Sequence, residues 1–274
     1  MAKVNRKIIQ IISTLITNAN IKGVMGYGIY KGPLKKSCVP GLNCYSCPLA
    51  VSSCPIGSIQ AILGSAKYKF SFYILGILML IGVVLGRVVC GFLCPFGLVQ
   101  EFLNKIRTPK FKLPNWTKYI KYVVLIIFVI LLPILWANEL GMGDPTFCKY
   151  ICPAGMLEGG IPLVLMNNSL RSIVGFLFKW KMAILIFTII LSIYTFRPFC
   201  KAICPLGAIY SFFNPISIYK LEIDKDKCIY CKKCSEVCGM GVEVYKSPNS
   251  LECIRCGECK TVCPTKAIKT AIKL

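Results

Sequence analysis

Long runs of apolar residues occupy most of the first two thirds of the chain and predict membrane helices. Three runs are clear, at about 70–89, 119–137 and 181–197, and each approaches the roughly 20 residues that cross a ~30 Å hydrocarbon core. A fourth candidate, at about 8–29, is interrupted by polar residues, so an interfacial helix is the alternative there. The pattern therefore predicts about four transmembrane helices.

The charged residues between these runs predict an orientation. Residues 104–121 carry six basic residues and no acid, which places this loop in the cytoplasm by the positive-inside rule. Residues 138–145 follow the next run, carry two acids and no base, and are expected outside. The chain is therefore predicted to be a multi-pass protein of the cell membrane with both its N-terminal and C-terminal regions in the cytoplasm.

Composition excludes several kinds of redox site. The 274 residues include 18 cysteines and no histidine, which excludes histidine-ligated haem, Rieske centres and zinc sites that need histidine. We therefore expect no haem, and thiolates as the available soft ligands favour iron–sulfur clusters, with zinc second. The net charge of +22 lies mostly beside the apolar runs, so it indicates membrane topology and no nucleic-acid partner.

A short cysteine phrase recurs at the ends of apolar runs. The stretches "CGFLCPFG" (90–97) and "CKAICPLG" (200–207) each have an arginine three residues before the first cysteine, Arg87 and Arg197. Each pair is half of a tetrathiolate site, so two pairs together are expected to bind one [4Fe–4S] cluster at the inner membrane face. The expected ligands are Cys90, Cys94, Cys200 and Cys204.

The residues around these cysteines suit such a cluster. A proline after the second cysteine fits the first turn of a helix. The glycine two residues later allows close backbone approach, and amide N–H groups nearby stabilise negative charge. Arg87 and Arg197 are expected to add positive charge beside the cluster.

The C-terminal region carries the most specific motif of the chain. Residues 228–238 and 253–264 both have the spacing C-x2-C-x2-C-x3-C of bacterial two-cluster ferredoxins, in which the fourth cysteine of each run binds the other cluster. The expected ligand sets are Cys228, Cys231, Cys234 and Cys263 for one [4Fe–4S] cluster, and Cys253, Cys256, Cys259 and Cys238 for the second. Gly239 stands where the motif has proline.

These patterns divide the chain into two predicted domains. Residues 1–218 form a membrane domain with an internal two-fold repeat, about 1–110 and 111–218, and residues 219–274 form a ferredoxin domain. The predicted fold is an α-helical membrane protein with a C-terminal α+β two-cluster bacterial-type ferredoxin domain.

Apolar spans with C-x3-C-P pairs followed by a two-cluster ferredoxin resemble the polyferredoxin-type membrane proteins. That family includes the membrane ferredoxin of periplasmic nitrate reductase and the C-terminal half of the nitrous-oxide reductase regulator. The resemblance covers about residues 70–274 and implies electron transfer between the cytoplasm or quinone pool and an extracytoplasmic acceptor. It implies a cytoplasmic donor, such as a ferredoxin or flavoprotein. The acceptor is often a flavin-bearing domain, which would lie on another chain because no flavin-attachment sequence occurs in this one.

Six further cysteines are predicted to lie at the outer face, and two assignments of them stay open. The favoured one combines Cys47 and Cys54 with Cys148 and Cys152 in a further membrane [4Fe–4S] site. In the alternative, the first loop supplies all four ligands, Cys38, Cys44, Cys47 and Cys54. Either assignment leaves two thiols, as a disulfide or as auxiliary ligands.

Three functions stay open from the residues alone: a single-electron carrier, a thiol–disulfide reductase that uses an outer cysteine pair, and an iron–sulfur redox sensor or assembly factor. Ligands for three or four clusters favour the carrier, because an electron needs intermediate cofactors to cross ~30 Å of hydrocarbon. The acids of the membrane region are expected to be solvated, and they are Glu101, Glu139, Asp144 and Glu158. The chain is therefore predicted to be an electron-transfer subunit of an oxidoreductase system, with no catalytic residues of its own.

Overall fold

Helices make up the larger part of the molecule. The structure is a computed structural model and describes residues 5–23, 25, 28–65, 71–136 and 143–272. The helices before the loop at 105–116 are α1 Arg6–Thr17, α2 Pro55–Gly64, α3 Tyr73–Leu85, α4 Val88–Phe92 and α5 Pro95–Asn104. The helices after it are α6 Thr117–Leu135, α7 Thr146–Tyr150, α8 Pro153–Met166, α9 Asn168–Ser172, α10 Phe176–Tyr194, α11 Pro198–Ala202 and α12 Pro205–Phe213.

Two helices among the described residues are long and apolar enough to cross a membrane, α6 and α10. Each has 19 residues, and at 1.5 Å per residue each rises about 28 Å, close to the thickness of a hydrocarbon core. They correspond to the apolar runs expected at 119–137 and 181–197, although residue 137 lies outside the described residues. A π-helical stretch, Leu125–Leu131, interrupts the regular hydrogen bonding of α6.

The other two expected spans are not confirmed. Helix α3 has 13 residues and rises only about 20 Å, and residue 70, where its run was expected to begin, lies outside the described residues. Helix α1 ends at Thr17 because Asn18 turns back to bond the Thr14 carbonyl at 3.0 Å. Its Arg6 and Gln10 side chains are buried, so one face of α1 packs against protein.

The C-terminal region is a small α+β unit. Strands β1 Tyr219–Ile223 and β2 Ile268–Ile272 pair antiparallel, with Leu221 opposite Thr270. Two short helices, α13 Lys233–Glu236 and α14 Glu258–Thr261, lie between the strands in sequence.

The two cysteine runs of this unit follow the same backbone path. Tyr230 and Lys232 have positive φ in the first run, and Arg255 and Gly257 have positive φ at the equivalent positions of the second. Such left-handed positions are uncommon for residues other than glycine. Their matched occurrence shows that both runs turn around their cysteines in the same way.

Candidate iron–sulfur sites

Four helices begin at the same Cys-Pro-x-Gly phrase. In α2, α5, α8 and α12 the cysteine is the N-cap and the proline is the first helical residue, as the sequence predicts. The glycine N–H then points back at the thiol, with Gly155 N to Cys152 Sγ and Gly207 N to Cys204 Sγ both at 3.4 Å. The positive end of each helix therefore faces sulfur, which favours an anionic ligand group.

Two of these helices contribute to a buried set of four thiols, termed the first cysteine group. It consists of Cys90, Cys94, Cys200 and Cys204. Burial raises the pKa of the Cys204 thiol, and the nearby Cys200 and Cys90 thiols raise it further. Four crowded, buried thiols ionise readily only when a cation binds them, so the donor set fits an iron–sulfur cluster.

Arg87 and Arg197 are fully buried beside the first cysteine group, and each contacts the cysteine pair that follows the other arginine in the sequence. Arg87 Nη2 lies 3.5 Å from the Cys200 carbonyl oxygen, and Arg197 Nη1 donates to the Cys90 carbonyl oxygen. Among the described residues Arg87 Nε has no hydrogen-bond partner. Two buried guanidinium groups suit a site that holds an anionic cluster.

Glu101 is buried and balances Arg197, which corrects the expectation that this acid of the membrane region is solvated. Glu101 accepts from Arg6 Nη1 at 2.6 Å and from Arg197 Nε at 2.9 Å. Burial raises the pKa of the Glu101 carboxyl, but Arg197 and Arg6 hold it below its usual value. Glu158 accepts the Cys44 N–H at 2.6 Å, and Glu139 lies outside the described residues.

Two glutamines were missed by the sequence reasoning. Gln100 Nε2 donates to Cys200 Sγ at 3.1 Å, and its Oε1 accepts the N–H of Phe199 at 3.2 Å. Gln60 makes the same two bonds. Its Nε2 donates to Cys148 Sγ at 3.3 Å, and its Oε1 accepts the N–H of Phe147 at 2.9 Å. The signal was present as the phrase C-P-x-G-x-x-Q in "CPIGSIQ" (54–60) and "CPFGLVQ" (94–100).

The structure brings together a second set of four thiols, termed the second cysteine group. It consists of Cys44, Cys54, Cys148 and Cys152. The favoured sequence assignment had Cys47 in this set, and the structure has the Cys44 thiol there instead. A turn in which Cys47 N bonds the Cys44 carbonyl directs the two side chains apart, and Cys47 Sγ lies 3.8 Å from Asn18 Oδ1. Cys38 Sγ lies 3.8 Å from Ser58 Oγ.

The two cysteine groups are neighbours. A Cβ atom on Gly41 would lie 3.0 Å from the Cys94 Cα. Burial raises the pKa of the Cys94 thiol to about 12, and a hydrogen bond from the Leu42 backbone N–H to this thiol acts in the opposite direction. The next amide, Asn43 N–H, faces the Cys54 thiol. The two groups, expected at opposite membrane faces, therefore lie close together in the structure, because the segment before Cys54 packs against Cys94.

The ferredoxin cysteines also form two sets. A small cavity is lined by the first of them, Cys228, Cys231, Cys234 and Cys263. In the other set, burial raises the pKa of Cys259 to about 12, and the thiols of Cys256, Cys253 and Cys238 add to the shift. Within the described residues no three cysteine or acidic side chains enclose a single metal ion.

The ferredoxin unit touches the membrane region beside the first cysteine group. A Cβ atom on Gly91 would lie 2.6 Å from the Ile254 carbonyl oxygen, so the segment between Cys90 and Cys94 contacts the residue after Cys253. A Cβ atom on Gly239 would lie 2.6 Å from the Phe196 ring. This contact accounts for glycine where ferredoxin motifs have proline, since a larger residue would collide with Phe196.

Apolar spans, buried cysteine groups and a ferredoxin unit define a membrane iron–sulfur protein of electron transport. A family described as 4Fe-4S binding domain matches residues 69–114 and 180–219, and another of the same description matches residues 221–242 and 248–269. The chain belongs to the polyferredoxin-type membrane proteins, as the relatives below show.

An uncharacterised protein of Methanocaldococcus jannaschii is 32% identical over 202 residues, which cover 70% of this chain and 75% of that protein. The ferredoxin-type protein NapH of Haemophilus influenzae is 27% identical over 209 residues, 70% of this chain and 65% of NapH. The putative electron transport protein YccM of Escherichia coli is 23% identical over 205 residues, 70% of this chain and 53% of YccM. No solved structure matches the chain.

Proposed function

We propose that the chain is a membrane electron carrier that takes single electrons from a cytoplasmic donor and delivers them to an extracytoplasmic acceptor. The eight ferredoxin cysteines would hold two [4Fe–4S] clusters, and the first cysteine group would hold a third. When bound, such clusters supply one-electron redox chemistry. The chain's own residues position the ligands, compensate the cluster charge and exclude water.

The contact between Gly91 and Ile254 carries this proposal. It joins a loop between two ligands of the first cysteine group to a loop between two ligands of the ferredoxin unit, with a Cβ-to-oxygen distance of only 2.6 Å available. A carrier needs its redox sites close together, whereas a sensor that only reports cluster occupancy has no such need.

A buried polar network supports the same arrangement. Glu252 accepts from Arg87 Nη1 at 2.9 Å and also pairs with Lys121 of α6. Asn214 Nδ2 donates to the Cys253 carbonyl oxygen at 2.7 Å, and Arg255 Nη2 donates to the Asn214 carbonyl oxygen at 2.6 Å. These bonds fix the ferredoxin unit on the membrane region, as an electron-transfer contact requires.

We propose the domain boundaries and orientation on the same basis. Residues 1–218 would form the membrane domain and residues 219–274 the ferredoxin domain. The basic loop at 104–121 is expected in the cytoplasm by the positive-inside rule, and the ferredoxin domain would lie on the same side. The donor would be a ferredoxin or flavoprotein. The acceptor would be an extracytoplasmic redox protein, for example a flavin-bearing domain on another chain.

Proteoliposomes test the function directly. The purified chain is inserted into vesicles that contain ferricyanide, and a membrane-impermeant low-potential reductant is added outside in the presence of ionophores. We expect the trapped ferricyanide to be reduced by the unmodified chain. Cys90→Ala should abolish this reduction while the EPR signals of both ferredoxin clusters persist.

Protein-free vesicles give the background rate. Unchanged reduction of trapped ferricyanide by Cys90→Ala would refute the pathway through the first cysteine group. Reduction at the background rate by the unmodified, cluster-loaded chain would refute the carrier function as a whole.

A further inference from the structure

The second cysteine group lies outside the parts of the chain that the iron–sulfur families match. Those matches begin at residue 69 and omit 115–179, whereas the four thiols come from the loop before α2 and from the α7–α8 segment. Their arrangement nevertheless repeats that of the first cysteine group in its main features.

Two glycines lie between the thiols and show how close they are. A Cβ atom on Gly155 would lie 3.8 Å from both Cys152 Sγ and Cys44 Sγ. A Cβ atom on Gly57 would lie 3.8 Å from Cys148 Sγ, and the Gly57 N–H faces the Cys54 thiol. The four sulfur atoms therefore surround the N-termini of α2 and α8.

The glutamine bond is the first matched feature. Gln60 Nε2 donates to Cys148 Sγ at 3.3 Å, as Gln100 Nε2 donates to Cys200 Sγ at 3.1 Å. Both glutamines are fully buried, and each lies six residues after the C-P-x-G cysteine. Hydrogen bonds to ligand sulfur both orient the ligand and stabilise its negative charge.

A nearby cation is the second matched feature, although Lys181 is half-buried whereas Arg87 is fully buried. Lys181 Nζ donates to the Cys148 carbonyl oxygen at 3.1 Å, where Arg87 Nη2 approaches the Cys200 carbonyl oxygen. Lys181 Nζ also lies 3.8 Å from the Cβ position of Gly155, and Arg87 Nη2 lies 3.4 Å from that of Gly207. Each set of thiols thus has a cation against a C-P-x-G glycine.

We propose that Cys44, Cys54, Cys148 and Cys152 bind a second membrane [4Fe–4S] cluster, with Gln60 and Lys181 in the places that Gln100 and Arg87 take at the first. Cys47 and Cys38 are not ligands of this cluster, since their thiols face Asn18 and Ser58.

The position of this site fits the next step of an electron pathway. The ferredoxin unit contacts the first cysteine group through Gly91 and Ile254, and the segment at Gly41 packs against Cys94 of that group. The Asn43 N–H, two residues after Gly41, faces the Cys54 thiol of the second cysteine group. The second cysteine group would therefore be the next site after the first. This placement in a pathway rests on the proposed function, but the ligand assignment does not.

Iron content tests the assignment. The purified, reconstituted chain should hold about sixteen irons and as many acid-labile sulfides, that is, four [4Fe–4S] clusters. Cys44→Ala should hold about twelve and lose one EPR-detectable centre. Cys47→Ala, three residues away in the same loop, is the matched control and should retain about sixteen.

The contrary results are equally clear. About twelve irons in the unmodified chain would overturn the proposal even if no variant could be purified. Loss of a cluster from Cys47→Ala with retention in Cys44→Ala would restore the other ligand set. Because these measurements do not involve electron delivery, a chain with three clusters that still reduces trapped ferricyanide would refute this site and leave the proposed function standing.

Discussion

At the scale of single residues, the buried arginines illustrate how the first cysteine group is balanced. Removing a guanidinium group from water costs several kcal/mol unless partners compensate it. Arg197 has Glu101 and the Cys90 carbonyl, and Arg87 has Glu252 and the Cys200 carbonyl. Each arginine therefore links the two halves of the cysteine group to a carboxylate outside it. An anionic cluster between them would complete the compensation.

The glutamines make the first prediction. Gln100→Leu removes the N–H bond to Cys200 Sγ and should shift the midpoint potential of the first membrane cluster to a more negative value, because the reduced, more negative cluster loses a donor. Potentiometric EPR titration of the membrane clusters measures the shift. The cluster should still assemble, since no ligand is changed.

Gln60→Leu is the matched variant at the second cysteine group. It should shift only the other membrane cluster, because its bond is to Cys148 Sγ. Two unchanged titrations would show that neither bond tunes a cluster. Equal shifts of both clusters in either variant would show that the glutamines act on the fold instead.

At the scale of elements, the same helix start supplies two of the four thiols in each cysteine group. Proline sets the first turn, cysteine caps it, and glycine leaves room for the group that approaches from the other half of the site. What approaches differs between copies. At Gly97 it is the Arg197 guanidinium, at 3.0–3.1 Å from the Cβ position, and at Gly57 it is the Cys148 sulfur at 3.8 Å.

This difference predicts unequal effects of alanine. Gly97→Ala should displace the buried Arg197 guanidinium and destabilise the protein by about 1–3 kcal/mol, the usual cost of overpacking. Gly57→Ala places its methyl group in ordinary contact and should be tolerated. Thermal unfolding in detergent, followed with iron content, compares the two. Equal losses in both variants would refute the close packing at Gly97.

The local structure of the helix starts was predictable from the sequence, whereas the contacts between distant segments were not. Proline at the first turn and glycine beside the thiol follow from the residues themselves, and both appear in the structure. The choice of Cys44 over Cys47 depends on how a turn directs two nearby side chains, which spacing alone does not determine. The positions of α6 and α10 followed from continuous apolar runs, whereas α1 shows that an interrupted run can pack against protein.

The adjacency of the two cysteine groups also lay beyond the sequence. Loop charge predicts which side of a membrane a segment faces, but not how deeply it folds back. Tyr210 illustrates the point, because its hydroxyl donates to the Pro40 carbonyl oxygen at 3.0 Å. That bond joins the helix after Cys204 to the segment before Cys54, and nothing in the sequence of either segment indicates it.

At the scale of the whole molecule, the Glu252 carboxylate helps to hold the ferredoxin unit on the membrane region. Glu252 pairs with Arg87 and with Lys121 of α6, and both cations are fully buried. Burial raises the pKa of the Glu252 carboxyl, but Arg87 and Lys121 hold it below its usual value. A depressed carboxyl pKa contributes stability above the unfolded value, about 4.3, and loses it as the pH falls through the folded pKa.

The contribution of the ionised Glu252 carboxylate to this docking should therefore be complete at about pH 5 and should weaken only below about pH 4.3. Glu252→Gln should weaken it at every pH. Removal of one partner leaves two buried cations without their counter-charge, a change that typically costs about 3–5 kcal/mol. We expect faster hydrogen exchange and proteolysis between Asn214 and Tyr219, where the membrane region joins β1.

Electron transfer supplies the decisive measurement for this variant. After rapid reduction of the ferredoxin clusters, freeze-quench EPR should show slower reduction of the first membrane cluster in Glu252→Gln, with both ferredoxin signals intact because no ligand has changed. Glu243→Gln is the matched control, since Glu243 pairs with Lys246 on the exposed surface at 2.8 Å and such pairs contribute little. Equal rates in Glu252→Gln and Glu243→Gln would mean that the Gly91–Ile254 contact persists without the Glu252 ion pairs, and the docking role assigned to Glu252 would then be wrong.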